Sequence, residues 1–110
     1  MLINRTGESF TCEEGTFTIG EKIYANSNSE WEGLFGIITE IRTDEDKETE
    51  NETPDIYCSF GVPDILEDIR ELEQRFSELY GEPKAIEDIP LDLVIMAPEM
   101  LDRLAPWEKM

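Results

Sequence analysis

Two hydrophobic periods divide this chain, and together they fix its fold class. Up to residue 60, apolar side chains come in short runs or alternate with polar ones, which is the spacing of β-strands. From residue 64 to 80 they recur every three or four positions, which is the spacing of an α-helix. With 110 residues, no internal repeat and no linker long enough to split it, the chain reads as one α+β domain over residues 1–110.

The helix is the clearest element. At 100° per residue, Ile65, Leu66, Ile69, Leu72, Phe76, Leu79 and Tyr80 fall in one sector of about 140°. Asp64, Glu67, Asp68, Glu71, Arg75 and Glu78 fall opposite. Asp64 and Glu67 have capping-box spacing, Gly81 supplies the stop, and Pro83 lies beyond it. The apolar sector is expected to cover a sheet.

The strands are short. Thr16-Phe17-Thr18-Ile19 runs to Gly20, and Lys22-Ile23-Tyr24-Ala25 runs into a polar loop, residues 26–29. In the following stretch Ile37, Thr39 and Ile41 alternate with Gly36, Ile38 and Glu40, while Gly33 and Gly36 mark a tight turn and either a bend or a close backbone approach. Asp55-Ile56-Tyr57-Cys58-Ser59-Phe60 puts Ile56, Cys58 and Phe60 on one face. Near the end, residues 85–88 read as a short turn, residues 91–97 as a buried strand closed by Pro98, and residues 99–104 as a short helix weakened by Pro106. The expected architecture is a small, strongly bent antiparallel sheet covered by one long amphipathic helix.

Charge bears on function. The chain holds 27 Asp and Glu against 9 Lys and Arg, a net −18 with no histidine. Solubility requires only about −2 to −8 in a small domain, and a larger excess repels itself. Such a surface is repelled by nucleic-acid phosphates and anionic lipid, so direct binding to either is excluded. A basic partner is attracted instead, and proteins that handle nucleic acids are one source of them.

Catalysis finds no foothold. There is no histidine to act as general base or metal ligand, and Cys12 and Cys58 sit among acids that blunt a thiol. No carboxylate pair is set apart by an apolar surrounding. No catalytic residue, metal site or cofactor is expected. Residues 44–55 look superficially like a calcium loop, but the sixth position is Thr49 rather than glycine, and strands rather than helices flank it. Both cysteines read as reduced thiols, Cys58 as a buried strand residue. No apolar run approaches a membrane span, and the first residues lack signal-peptide character, so a cytoplasmic protein is expected.

The acids concentrate in two places. Residues 40–55 hold eight acids and two bases, and the candidate partner-binding residues there are Asp44, Glu45, Asp46, Glu48, Glu50 and Glu52. Asp64, Asp68, Glu71 and Glu78 form a second row at one helical turn per roughly 5–6 Å, interrupted by Arg75, and the loop is expected to extend it. A solvated helix face with an i,i+4 pair between Glu71 and Arg75 is the plainer alternative. Trp31, between Glu30 and Glu32, is a candidate aromatic anchor or else a cap on the core, and Trp107 near the end raises the same question.

Residues 20–27 followed by 33–41 look like the opening of an SH3-like barrel. With residues 43–51, Pro54-Asp55-Ile56-Tyr57-Cys58-Ser59-Phe60 and Leu91-Asp92-Leu93-Val94-Ile95-Met96-Ala97-Pro98, the chain resembles small acidic proteins of phages, plasmids and conjugative elements of Gram-positive bacteria. Within that group it most resembles type II-A anti-CRISPR proteins, over roughly residues 16–98. The resemblance implies a stoichiometric, non-enzymatic inhibitor in the bacterial cytoplasm; self-repulsion of the net −18 favours a monomer, with dimerisation through Trp31 or a sheet edge the alternative. Its partner is then a type II-A Cas nuclease, whose positively charged channel it enters against guide RNA or DNA. Alternatives are an SH3-like interaction module of a conjugative element or plasmid, and an antirestriction DNA mimic.

Overall fold

A computed structural model describes residues 1–103. It shows an α+β fold in which every strand pairing is antiparallel. The strands are β1 (Leu2–Ile3), β2 (Ser9–Cys12), β3 (Gly15–Thr18), β4 (Lys22–Ala25), β5 (Phe35–Arg42), β6 (Asp55–Phe60), β7 (Val94–Met96) and β8 (Leu101–Arg103), with one helix, α1 (Leu66–Tyr80). The main sheet runs β7-β6-β5-β4-β8, with β1 on the second half of β5. β2 and β3 form a separate hairpin. Among the described residues β7 and β8 do not pair with each other, so the sheet stays open rather than closing into a barrel.

The alternation in β5 breaks in its middle. Ile38 stands opposite Cys58, but Glu40 stands opposite Tyr57, so Thr39 is bulged out and the faces exchange. Ile38 and Ile41, on opposite faces of a regular strand, are therefore both fully buried, while Ile37 is exposed. Gly36 lies tight against β6: a β-carbon there would be 2.3 Å from the Ser59 carbonyl oxygen. That contact admits only glycine.

The core packs one face of the sheet, with Ile23, Ala25, Ile38, Ile41, Ile56, Cys58, Val94, Met96 and Leu101, against Phe17 and Ile19 of the hairpin region and against Leu34, Leu72, Phe76 and Ile89. Burial pushes the Cys58 thiol up to about 12.

The helix differs from expectation. It starts at Leu66 with Ile65 as its N-cap and no side-chain cap hydrogen bond, so Asp64 and Glu67 form no capping box. Gly81 ends it at φ 70°, in the left-handed conformation. Of seven apolar residues in the predicted sector only Leu72 and Phe76 are buried, and Ile65, Leu66, Leu79 and Tyr80 are more than half exposed. The helix does not lie flat over the sheet. It docks by a narrow seam beside Trp31, Ile86 and Ile89. Residues 98–103 also differ: a 3-10 turn (Pro98–Met100) leads into β8, where a helix was expected, and Leu104 and Trp107 lie outside the described residues.

Candidate partner-binding surfaces

The acidic loop between β5 and β6 is built around one buried carboxylate. Asp55 is 2 % exposed. One of its oxygens accepts the backbone N–H groups of Glu48 at 2.8 Å and Thr49 at 3.0 Å, and the other accepts the Thr49 hydroxyl. Burial works to raise its pKa, but these donors outweigh it and hold Asp55 below its ordinary 3.8. Asp55 thus stays ionised and fastens the loop to its own base.

Other contacts fix the loop's entry. Asp44 opens a 3-10 turn (Asp44–Asp46) at φ 56°, a left-handed conformation that aspartate tolerates. The α-amino group of Met1 donates to the Thr43 carbonyl at 2.9 Å and pairs with Asp46 at 2.8 Å. Arg42 pairs with Glu40, reaches Glu48 at 3.2 Å, and lies 4.7 Å from the centre of the Tyr57 ring. Tyr57 is buried beneath that cover, its hydroxyl has no hydrogen-bond partner among the described residues, and burial beside Glu48 pushes it up to about 12. The loop is pinned at its root, and its acids point outward. Asp44, Glu45, Asp46, Glu48, Glu50 and Glu52 are all exposed.

The second row divides. Asp68, Glu71 and Glu78 lie on α1 and Asp64 just before it, and all four are exposed. Arg75 does more than interrupt the row. It pairs with Glu71 at 3.5 Å, the expected i,i+4 contact, and also donates to the Glu30 and Glu32 carbonyls at 2.8 and 3.0 Å. Helix α1 is thereby held to the turn between β4 and β5.

The loop does not extend the helix row. It closes one end of the β5–β6 hairpin, whereas α1 begins just past the other end and is tied there again by Arg75. An eight-residue strand separates the two, about 25 Å at the usual rise per residue. The acids form two patches, not one line.

Trp31 is half-buried against α1, in the turn between β4 and β5. It meets Phe76 edge-on at 5.3 Å, and its indole N–H donates to the Pro90 carbonyl at 2.9 Å. Both its apolar body and its polar tip are engaged within the fold.

Most of the charge is uncompensated. Five carboxylates, those of Glu40, Asp46, Glu48, Glu71 and Glu82, pair with a cation among the described residues. No group of three or more Cys, Asp or Glu there is arranged to hold a metal ion. No described helix is long and apolar enough to cross a membrane. Comparisons with protein-family models, curated proteins and solved structures find no match to this chain.

Composition makes Asp55 one acid among eight between residues 40 and 55, whereas the structure makes it the anchor of the candidate loop. The signal in the sequence is its place at the start of the apolar strand β6.

Proposed function

We propose that this protein is a stoichiometric, non-catalytic inhibitor that presents acidic surfaces in place of nucleic acid. Its target is a type II-A CRISPR RNA-guided nuclease in the bacterial cytoplasm. The observation that carries the proposal is the loop of residues 44–55, whose exposed carboxylates project from a base clamped by Asp55. Acids ordered in advance lose little conformational freedom on binding. A guide-RNA channel offers Lys and Arg spaced to meet phosphates, and a rigid acidic loop competes for those side chains. The chain acts as a monomer, since its charge opposes self-association.

The test is capture of the purified nuclease, with and without guide RNA, followed by cleavage assays with the order of addition varied. The guide-free nuclease is expected to bind more tightly, and inhibition to be stronger when the chain precedes the guide. Failure to bind either form would sink the proposal. Capture of a restriction endonuclease instead would favour an antirestriction mimic.

One observation favours a second reading, an SH3-like interaction module of a conjugative element. Half-buried Tyr24 and exposed Phe35, 5.0 Å apart on neighbouring strands β4 and β5 of the main sheet, offer aromatic surface of the kind protein partners use.

A further inference from the structure

At the end of the β5–β6 hairpin remote from the acidic loop, large apolar side chains stand exposed together. Phe35 is 57 %, Val62 54 % and Ile65 59 % exposed. They line a cleft of about 330 Å³ floored by Leu34, with Asp64 and Asp68 at its rim. A second cleft of about 160 Å³ continues it along α1, sharing Gly33, Leu34, Pro63 and Asp68 and adding Glu32, Glu71, Leu72 and Arg75, whose guanidinium is already engaged by Glu71 and the Glu30 and Glu32 carbonyls. Scattered exposed apolar residues are ordinary, but a group of them around a concavity marks a place where something docks.

The rim tells what docks. Asp64, Asp68 and Glu32 form no ion pair among the described residues. A second copy of this chain would bring the same carboxylates against each other on a molecule of net −18, which like-charge repulsion opposes. A cationic segment gains where a second copy loses.

We infer that this cleft binds a basic amphipathic segment of a partner protein, with an apolar side chain seated on Phe35, Val62 and Ile65 and Lys or Arg set against Asp64 and Asp68. The inference rests on the basic-partner reading for the sign of the partner's charge. It adds a separate contact, on the opposite end of the molecule from the loop, in which apolar burial supplies the specificity that charge alone lacks.

Two synthetic peptides of equal length and equal lysine content test it, one carrying Leu and Trp at helical spacing and one with those residues replaced by Ser. Binding is followed by fluorescence anisotropy and by amide shifts of residues 33–35 and 61–68. The amphipathic peptide is expected to bind at least about tenfold more tightly than its apolar-free counterpart. Combining Phe35→Ser with Ile65→Ser is expected to erase that difference while leaving the apolar-free peptide unaffected. Both side chains are mostly exposed, and the unfolding midpoint verifies the fold; Val62→Ser serves instead if the double variant is unfolded. Equal binding of both peptides, unchanged by the substitutions, would remove the cleft and leave the basic-partner reading standing. Binding of neither would overturn both. A dimer in sedimentation that the double variant dissolves would assign the cleft to a second copy and overturn the inference.

Discussion

Asp55 offers the sharpest test of how the acidic loop is held, because two substitutions there have calculably different consequences. In Asp55→Asn the amide oxygen can take the place of the oxygen that accepts the Glu48 and Thr49 N–H groups. The amide nitrogen then faces the Thr49 hydroxyl, which can accept from it. All three hydrogen bonds survive without their charge assistance, and the expected loss is about 1–2 kcal/mol. In Asp55→Ala both backbone N–H groups lose their acceptor beside the sheet. Each unsatisfied donor costs about 1–3 kcal/mol, reduced where water reaches the loop, so about 2–4 kcal/mol is expected. Against a total stability of about 5–15 kcal/mol for a domain of this size, the second loss is large.

Urea unfolding followed by circular dichroism measures both. The pH dependence adds a signed check: the folded pKa lies below 3.8, so the contribution of the ionised group is fully present above that value. It is lost as pH falls through the folded pKa, and the gap between wild type and Asp55→Asn should close there. Equal costs for Asn and Ala, or a gap that widens in acid, would refute the hydrogen-bond account.

Three further outcomes are expected. Gly36→Ala should destabilise by about 3 kcal/mol or more in the same unfolding assay, because the new β-carbon meets the Ser59 carbonyl at 2.3 Å and the backbone must move. Native protein at neutral pH should react slowly with a thiol reagent at Cys12, which is half-buried and raised by burial, and at Cys58 only after unfolding, as quantified by mass spectrometry. Reversing Glu45, Glu50 and Glu52 to Lys should leave the unfolding free energy within about 0.5 kcal/mol of wild type, since none makes an internal side-chain bond or ion pair among the described residues, yet abolish inhibition in a cleavage assay. Retained inhibition would reduce the acids to a solvated coat.

Much of the fold was legible where local pattern and tertiary packing agree. Strand β6 has the bounds its alternation implies, Gly81 ends the helix as its conformational freedom suggests, and Gly36 marks a close approach of backbones. What escaped depends on partners distant in sequence. The Thr39 bulge comes from pairing with β6 and buries Ile38 and Ile41 together, which alternation within β5 does not reveal. Apolar periodicity located α1 but not the width of its contact, because burial needs an opposing surface and the helix meets one only at Leu72 and Phe76. Strand β2 alternates Phe10 and Cys12 with Ser9 and Thr11 over only four residues and pairs with β3 alone, and β8 is three residues long and owes its form to β4. In the candidate surfaces, residue type identified the exposed acids, but not their separation onto opposite ends of a hairpin. Nor did it distinguish Asp55, whose role depends on burial.

The central claim is that this acidic surface takes the place of nucleic acid on a basic protein. Displacement of labelled guide RNA from a type II-A Cas nuclease, followed by anisotropy over a range of salt, tests it most directly. Chain added first, at one per nuclease, is expected to keep the RNA off, chain added after the RNA to displace it less, and its competition to weaken by about tenfold or more as salt rises from low to physiological strength. A complex of nuclease, RNA and this chain, formed with the RNA affinity unchanged, would contradict it.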